Sequence, residues 1–306
     1  MDLRIVFMGT PEFAVPSLKI LVENGYNVVG VITATDKMGG RGKNQLIESA
    51  VKKYAVAQDI PVLQPKNLKS PEFQAELKGL NANLQIVVAF RMLPVSVWDM
   101  PELGTFNLHG SLLPKYRGAA PINWAVINGD AETGVSTFFL QHEIDTGDLI
   151  FQERMPIYPD DTAGDVHDRM MDLGAKTVLK TVKTIEDGTV TTQKQDDSQA
   201  SKAPKIFRET CEINFQQPAQ KVHDFIRGMS PYPAAWTRLE GKQLKILKST
   251  YTEDYHQLKP GTFQSDDKNY IKVACSPGFV RVHQLQLQGR KRMKTKDFLN
   301  GYSFNG

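Results

Sequence analysis

Leu3-Arg4-Ile5-Val6-Phe7-Met8-Gly9-Thr10-Pro11, and the stretch that follows it to Asn24, set the fold class. Leu3–Met8 is short, apolar and rich in branched and aromatic residues, which predicts a strand buried on both faces. From Pro11 to Asn24, the residues Phe13, Val15, Leu18, Leu21 and Val22 recur at roughly helical spacing, and Gly25 supplies a stop. Asn27–Thr33 then returns to the strand pattern. The alternation repeats downstream: Ile60–Leu63 and Leu84–Phe90 read as strands, Asn44–Gln58 and Pro71–Gly79 as helices. Buried strands separated by crossover helices predict an α/β fold with a doubly wound, mostly parallel, Rossmann-like sheet. Thr105–Leu108 is the next strand in this reading. His109 lies just past its carboxyl end, where sheets of this kind bind ligands.

Past Pro121, Ile122–Ile127 predicts a helix ended by Asn128-Gly129, and Gly134–Leu140 and Leu149–Ile157 predict strands flanking a loop that holds Asp145. Thr162–Glu186 predicts a long amphipathic helix closed by Asp187-Gly188. Residues 189–207 are polar and read as a linker. Beyond them the pattern changes. One helix, Pro218–Gly228, precedes short alternating runs at Leu244–Leu247, Tyr270–Ala274 and Phe279–Leu287, which predict a small β-barrel. The expected organisation is an α/β catalytic domain over 1–188, a linker over 189–207 and a basic β-domain over 208–306.

The chain has 306 residues, enough for a large domain and a smaller one, and its 41% hydrophobic and 23% charged content is that of an ordinary globular protein. No apolar run approaches the ~18–20 residues that a membrane span needs, and the opening residues are too short for a signal peptide. Cys211 and Cys275 are the only cysteines and lack metal-ligand spacing, so neither a disulfide framework nor a metal site is expected, and a reducing cytoplasm fits. Charge is uneven along the chain. Residues 1–207 carry 21 Lys+Arg against 25 Asp+Glu, a balance of −4, whereas residues 208–306 carry 16 against 9, a balance of +7. A basic domain beside an acidic one points to a polyanionic partner, although a +7 surface also serves simple solubility.

Gly9-Thr10-Pro11 departs from the Gly-x-Gly-x-x-Gly fingerprint, which disfavours dinucleotide binding and with it a nicotinamide oxidoreductase. Gly39-Gly40-Arg41-Gly42-Lys43-Asn44 fits either a surface loop or a basic flap over a charged ligand. The run Asn107-Leu108-His109-Gly110-Ser111-Leu112-Leu113-Pro114 is more specific when joined to Asp145-Thr146-Gly147-Asp148. Asn107 and His109 alternate along a strand, so they share a face. A carboxamide donates to a carbonyl oxygen as charge builds on it. An imidazole manages the proton that an attacking amine must lose. A carboxylate holds the imidazole in one orientation, and Asp145 is the preferred candidate among nearby His142, Glu143 and Asp148. Acyl-type transfer to an amine needs all three tools. His167, His223, His256 and His283 form no constellation and read as surface or packing residues.

These residues, with Lys115-Tyr116-Arg117-Gly118-Ala119-Ala120-Pro121 and the opening Ile5-Val6-Phe7-Met8-Gly9-Thr10-Pro11-Glu12-Phe13, give the chain a resemblance to the folate-dependent formyltransferases over essentially its whole length. The resemblance implies Asn107, His109 and Asp145 as the catalytic set and 10-formyltetrahydrofolate as donor. It implies a folate pocket involving Phe90, Arg91, Met92 and Leu93, the Ser111, Leu112, Leu113 and Pro114 run, and His142, Thr146 and Gly147. Arg91-Met92 stands where the family often has smaller residues, a departure that bears on the pocket contacts. The continuation Ala119-Ala120-Pro121, the basic loop and the tail imply initiator methionyl-tRNA as acceptor, bound through Arg41 and Lys43 and through Arg290, Lys291 and Arg292 on a tail that resembles an oligonucleotide-binding (OB-like) barrel. A monomer without obligatory protein partner is expected. The alternatives are a formyltransferase acting on a small amine, such as glycinamide ribonucleotide or a nucleotide amino sugar, and a non-catalytic tRNA-binding protein on the same scaffold.

Overall fold

The computed structural model describes residues 2–39 and 44–304. The chain divides into two compact units, each assembled from separate stretches. The first comprises Met1–Gly118, Gly134–Met155 and His167–Lys202, and the second Ala119–Thr133, Pro156–Val166 and Ala203–Gly306.

The elements run β1 (Arg4–Gly9), α1 (Val15–Glu23), β2 (Asn27–Ile32), β3 (Lys37–Gly39), β4 (Gln45–Ile47), α2 (Ala50–Ala57), β5 (Val62–Leu63), α3 (Pro71–Gly79), β6 (Leu84–Val88), α4 (Val95–Trp98), β7 (Thr105–His109) and β8 (Arg117–Gly118). After α5 (Pro121–Ile127) come β9 (Glu132–Phe139), β10 (Leu149–Pro156), α6 (Ala163–Glu186) and β11 (Lys202–Ala203). Seven strands form the sheet of the first unit, in the order β10-β9-β7-β6-β1-β2-β5. Neighbours from β5 to β7 are parallel, and β9 returns antiparallel to β7. All five residues of β6 are buried, as a central strand covered on both faces requires. The parallel register aligns Gly9 with Val88, and Val88 with Leu108, so the carboxyl ends of β1, β6 and β7 lie side by side.

Local signals explain most boundaries. The Ser70 hydroxyl accepts from Phe73 N at 3.3 Å, Pro71 occupies the first turn, and Phe73 and Leu77 bury the inner face of α3. The helix expected over Asn44–Gln58 is shorter than predicted. Gln45–Ile47 is a strand paired with Lys37–Gly39, and α2 starts only after Ser49, whose hydroxyl accepts from Lys52 N at 3.0 Å. That serine cap marks the true start, while Leu46 and Ile47 imitate a helical stripe although both are exposed. His109 is the last residue of β7 rather than the first beyond it.

In the second unit, α7 (Ala219–Met229) precedes β12 (Ala235–Leu239), β13 (Lys242–Thr252), β14 (Phe263–Ser265), β15 (Ile271–Ala274), β16 (Phe279–Leu287), β17 (Met293–Lys294) and α8 (Thr295–Leu299). The sheet runs β12-β13-β16-β15-β14 with β17 on β16, all antiparallel. This path is open, so the expected barrel is a half-barrel. Its concave core packs Leu244, Ile246, Val280 and Leu285 against Val222, Ile226 and Met229 of α7 and Phe298 of α8. The helix α5 lies hard against α7. A Cβ on Gly228 would fall 2.8 Å from the backbone nitrogen of Ile127, and Asn123 Nδ2 donates to Gly228 O at 2.8 Å. Nearby, Arg227 Nε donates to Asp224 Oδ1 at 2.7 Å, both side chains nearly buried, and Arg227 Nη1 reaches Asp161 O at 3.1 Å.

Candidate active site

Asn107 and His109 project from the same face of β7, as period-two alternation demands. Asn107 Oδ1 is buried and has no hydrogen-bond partner. A buried carboxamide end without a partner is costly in a finished core. It is a natural place for a ligand group, and a half turn of the amide would present a donor there instead of an acceptor.

His109 is buried, and its Nε2 lies 2.8 Å from Tyr116 O. A carbonyl only accepts, so Nε2 carries the proton. The ring therefore turns Nδ1 toward Asp145, whose Oδ2 lies 3.8 Å away. That same Oδ2 accepts from Gly118 N at 2.9 Å. Asp145 is thus buried but not bare: a backbone N–H holds it on one side and the imidazole faces it on the other. Tyr116 and Asp145 both adopt left-handed backbone angles, φ 61° and 56°, as does Ala89 at φ 48° beyond the end of β6. Non-glycine residues in that region cluster where surrounding structure over-determines them, often at functional sites.

Gly147 is needed for close backbone approach rather than for a left-handed turn. Its φ is not positive, yet a Cβ there would sit 1.7 Å from Phe139 O, so the position admits glycine because backbone passes over it. The conformational strain of the turn falls on Asp145 instead.

The other expected residues fall into groups. Ser111 and Leu113 are buried and serve the loop itself. Ser111 Oγ donates to Lys115 O at 2.6 Å, Leu113 N donates to Ser136 Oγ at 3.0 Å, and Leu113 packs on Phe138 and Leu149. Leu112 and Pro114 are half-buried. Phe90 and Leu93 join the cluster formed with Val87, Val97 and Leu140. Arg91 is exposed and turns back to donate to Lys66 O at 3.1 Å and to Pro65 O. Met92 is 73% exposed and Ile144 58%, and their two segments meet where the His142 ring sits edge-on to Trp98, 5.6 Å between centroids. Thr146 Oγ1 donates to Glu143 O at 3.1 Å. Arg290, Lys291 and Arg292 are exposed in the turn between β16 and β17, where Arg292 donates to Gln284 Oε1. Arg41 and Lys43 lie outside the described residues.

Sequence reasoning missed three contributors. Tyr116 acts through its carbonyl, which any residue possesses. Gln195 and Ser201 belong to the polar stretch read as linker, yet that stretch runs back along the site. Gln193 pairs with Leu149, Gln195 Nε2 donates to Asp145 O and Gly147 O at 2.8 Å each, and Ser201 Oγ accepts from Tyr116 N at 2.9 Å. The remaining histidines pack or cap: His223 bonds Ser249 Oγ at 3.0 Å, His256 bonds Gly278 O at 2.9 Å and His283 bonds Thr250 Oγ1 at 2.8 Å.

Comparison with known proteins identifies the family of the chain. A formyl transferase family model matches residues 3–182, and a formyl transferase C-terminal domain model matches residues 205–303. The chain is 57% identical over 310 residues to a methionyl-tRNA formyltransferase of Bacteroides thetaiotaomicron, covering 98% of this chain and 96% of the relative. It is 52% identical over 308 residues to one of Flavobacterium johnsoniae, with 99% and 97% covered. In fold it is similar to an N-formyltransferase from Helicobacter canadensis, solved in complex with folinic acid and dTDP-3-aminofucose, at a TM-score of 0.68 and 23% identity over 92% of this chain and 98% of that one. The chain belongs to the formyl transferase family and, within it, to the methionyl-tRNA formyltransferases.

Proposed function

We propose that this chain transfers the formyl group of 10-formyltetrahydrofolate to the α-amine of initiator methionyl-tRNA, and that Asn107, His109 and Asp145 carry the reaction. The observation that bears most weight is their convergence: a buried, unpartnered carboxamide oxygen on Asn107 and an imidazole facing a buried carboxylate two residues along the same strand face. The bound folate supplies a formamide already activated for transfer. Asn107 donates to the formyl oxygen as negative charge builds there, and removing such a donor costs about 10²–10³ in rate. Asp145 takes the proton that the attacking amine must lose and, with His109 Nδ1 beside it, returns a proton toward the leaving nitrogen. Tyr116 O holds His109 Nε2, so in this arrangement stabilisation of the charge on the formyl oxygen rests on Asn107.

The orphaned Asn107 oxygen and the exposed apolar surfaces of Met92 and Ile144, on segments joined at the Trp98–His142 contact, fit a flat, partly apolar ligand with polar edges. Phe90, Arg91, Met92, Leu93, His142 and Thr146 would hold it. Arg41, Lys43, Arg290, Lys291 and Arg292 would meet tRNA phosphates. All three catalytic side chains come from one chain, so the reading asks for no partner subunit. It places the reaction in the cytoplasm, with translation initiation; among the described residues no helix is long and apolar enough to cross a membrane.

The test supplies purified protein and formyl-labelled folate with methionyl-tRNA, glycinamide ribonucleotide or a nucleotide amino sugar. Label on methionyl-tRNA, lost in Asn107→Ala and Asp145→Ala, supports the reading. Label on a small amine alone would refute the acceptor, and full activity in both variants would refute the mechanism.

A further inference from the structure

We propose that Gln195 is a positioning residue of this site: its carboxamide fixes the turn that carries Asp145, and so sets where the carboxylate meets His109. The inference rests on the formyl-transfer reading above and assigns a task to a residue in a stretch whose composition is that of a spacer.

Every hydrogen-bonding position of the Gln195 amide is used. Nε2 donates to Asp145 O at 2.8 Å and to Gly147 O at 2.8 Å, which brackets the turn on both sides of Thr146. Oε1 accepts from Arg117 Nε at 3.1 Å and Arg117 Nη2 at 2.7 Å. Arg117 is steadied in turn by Asp197 Oδ1 at 2.6 Å. The next residue, Gly118, is the one whose N–H donates to Asp145 Oδ2 at 2.9 Å. One side chain therefore ties the backbone that bears the carboxylate to the strand that receives it.

The chemistry demands an amide at this point. A carboxylate would meet Arg117 well but would face two carbonyl oxygens with no proton to offer. A lysine would satisfy the carbonyls and repel the guanidinium. Only a group that donates on one side and accepts on the other answers both. The turn needs such an anchor because Asp145 stands at φ 56°, a conformation that an L-residue leaves when nothing holds it. The carboxylate lies 3.8 Å from Nδ1, so a small relaxation of the turn separates the pair, and misplacement on the ångström scale costs catalysis heavily.

The test compares Gln195→Leu, Gln195→Glu and Gln195→Asn in the full-length protein. Gln195→Glu keeps the Arg117 contact and loses both donations to the turn, so it separates anchoring of Asp145 from a general effect on folding. We expect Leu and Glu to lower kcat by about 10–100-fold, with KM for methionyl-tRNA within twofold and the melting temperature close to that of the parent protein. Asn, one methylene short, should fall between. In the Asp145→Asn background, Gln195→Leu should cost no further activity, because the carboxylate it positions is gone. Without any substrate, amide exchange at Gly118 should quicken at least tenfold in the Leu variant, since its N–H would lose the carboxylate it donates to. Unchanged kcat in Leu and Glu, or an equal further loss in the Asp145→Asn background, overturns the inference. Should the parent protein fail to formylate methionyl-tRNA, the functional reading falls instead. Gly118 exchange still reports whether Gln195 holds the turn.

Discussion

Single residues decide this site, and two substitutions probe it from opposite directions. Asn107→Ala removes one donor and leaves a small polar gap, so kcat should drop by about 10²–10³ with little loss of stability; single-turnover formylation and a thermal melt on the same samples check both halves. Gly147→Ala adds one methyl group 1.7 Å from Phe139 O, a contact that backbone must move to relieve. The turn bearing Asp145 would shift, and activity should fall at least as far as in Asp145→Ala although no polar group is lost. A fully active Gly147→Ala protein would show that the turn can yield without disturbing the carboxylate. Much of the site was legible beforehand for one reason. Asn107 and His109 sit two apart on a strand, and period-two geometry converts that spacing into a shared face. Asp145 was legible as chemistry but not as position. Tyr116 was illegible because its contribution is a carbonyl. Gln195 was illegible because its partners lie 50 and 48 residues away, a separation that composition cannot encode.

Among the elements, α7 carries a pH dependence. Burial lowers the pKa of His223 against the opposing pull of Asp224 and Asp160, with Arg227 adding to the lowering. His283 is shifted the same way by burial and by Arg281 and Lys248. A histidine with a depressed folded pKa is protonated first in the unfolded chain, so stability is full above about pH 6.5 and declines as pH falls toward the folded values. Urea midpoints should therefore drop between pH 7.5 and pH 5, and His223→Gln should flatten that fall; parallel curves for the two proteins would exclude His223 as a source. The elements themselves were readable where burial has a period. β6 and α3 emerged with nearly their observed limits because one is buried throughout and the other is capped by Ser70-Pro71. The β3–β4 hairpin did not, because Met38, Leu46 and Ile47 are exposed and their pairing partner is another short strand rather than a core.

For the whole molecule, the charge division is the feature with a measurable reach. The basic balance of residues 208–306 includes Arg290, Lys291 and Arg292, exposed together in one turn. If they meet tRNA phosphates, replacing all three with alanine should reduce the slope of log affinity against log salt by roughly 0.7–0.9 per lost contact, while leaving formylation at saturating tRNA intact. An unchanged slope would move the contact elsewhere. The half-barrel unit also has an uncommon pedigree, for it takes Ala119–Thr133 and Pro156–Val166 from the midst of the preceding unit's sequence. Helix α5 is made early in translation, but α7, the surface it seats against at Gly228, emerges only after α6 and the polar stretch have been synthesised. The second unit can then mature only once its last stretch, Ala203–Gly306, has emerged. A fragment cut near residue 204 would leave the ribosome with α5 uncovered, its seat on α7 not yet made, and a chaperone that shields this flank would find its task in that interval.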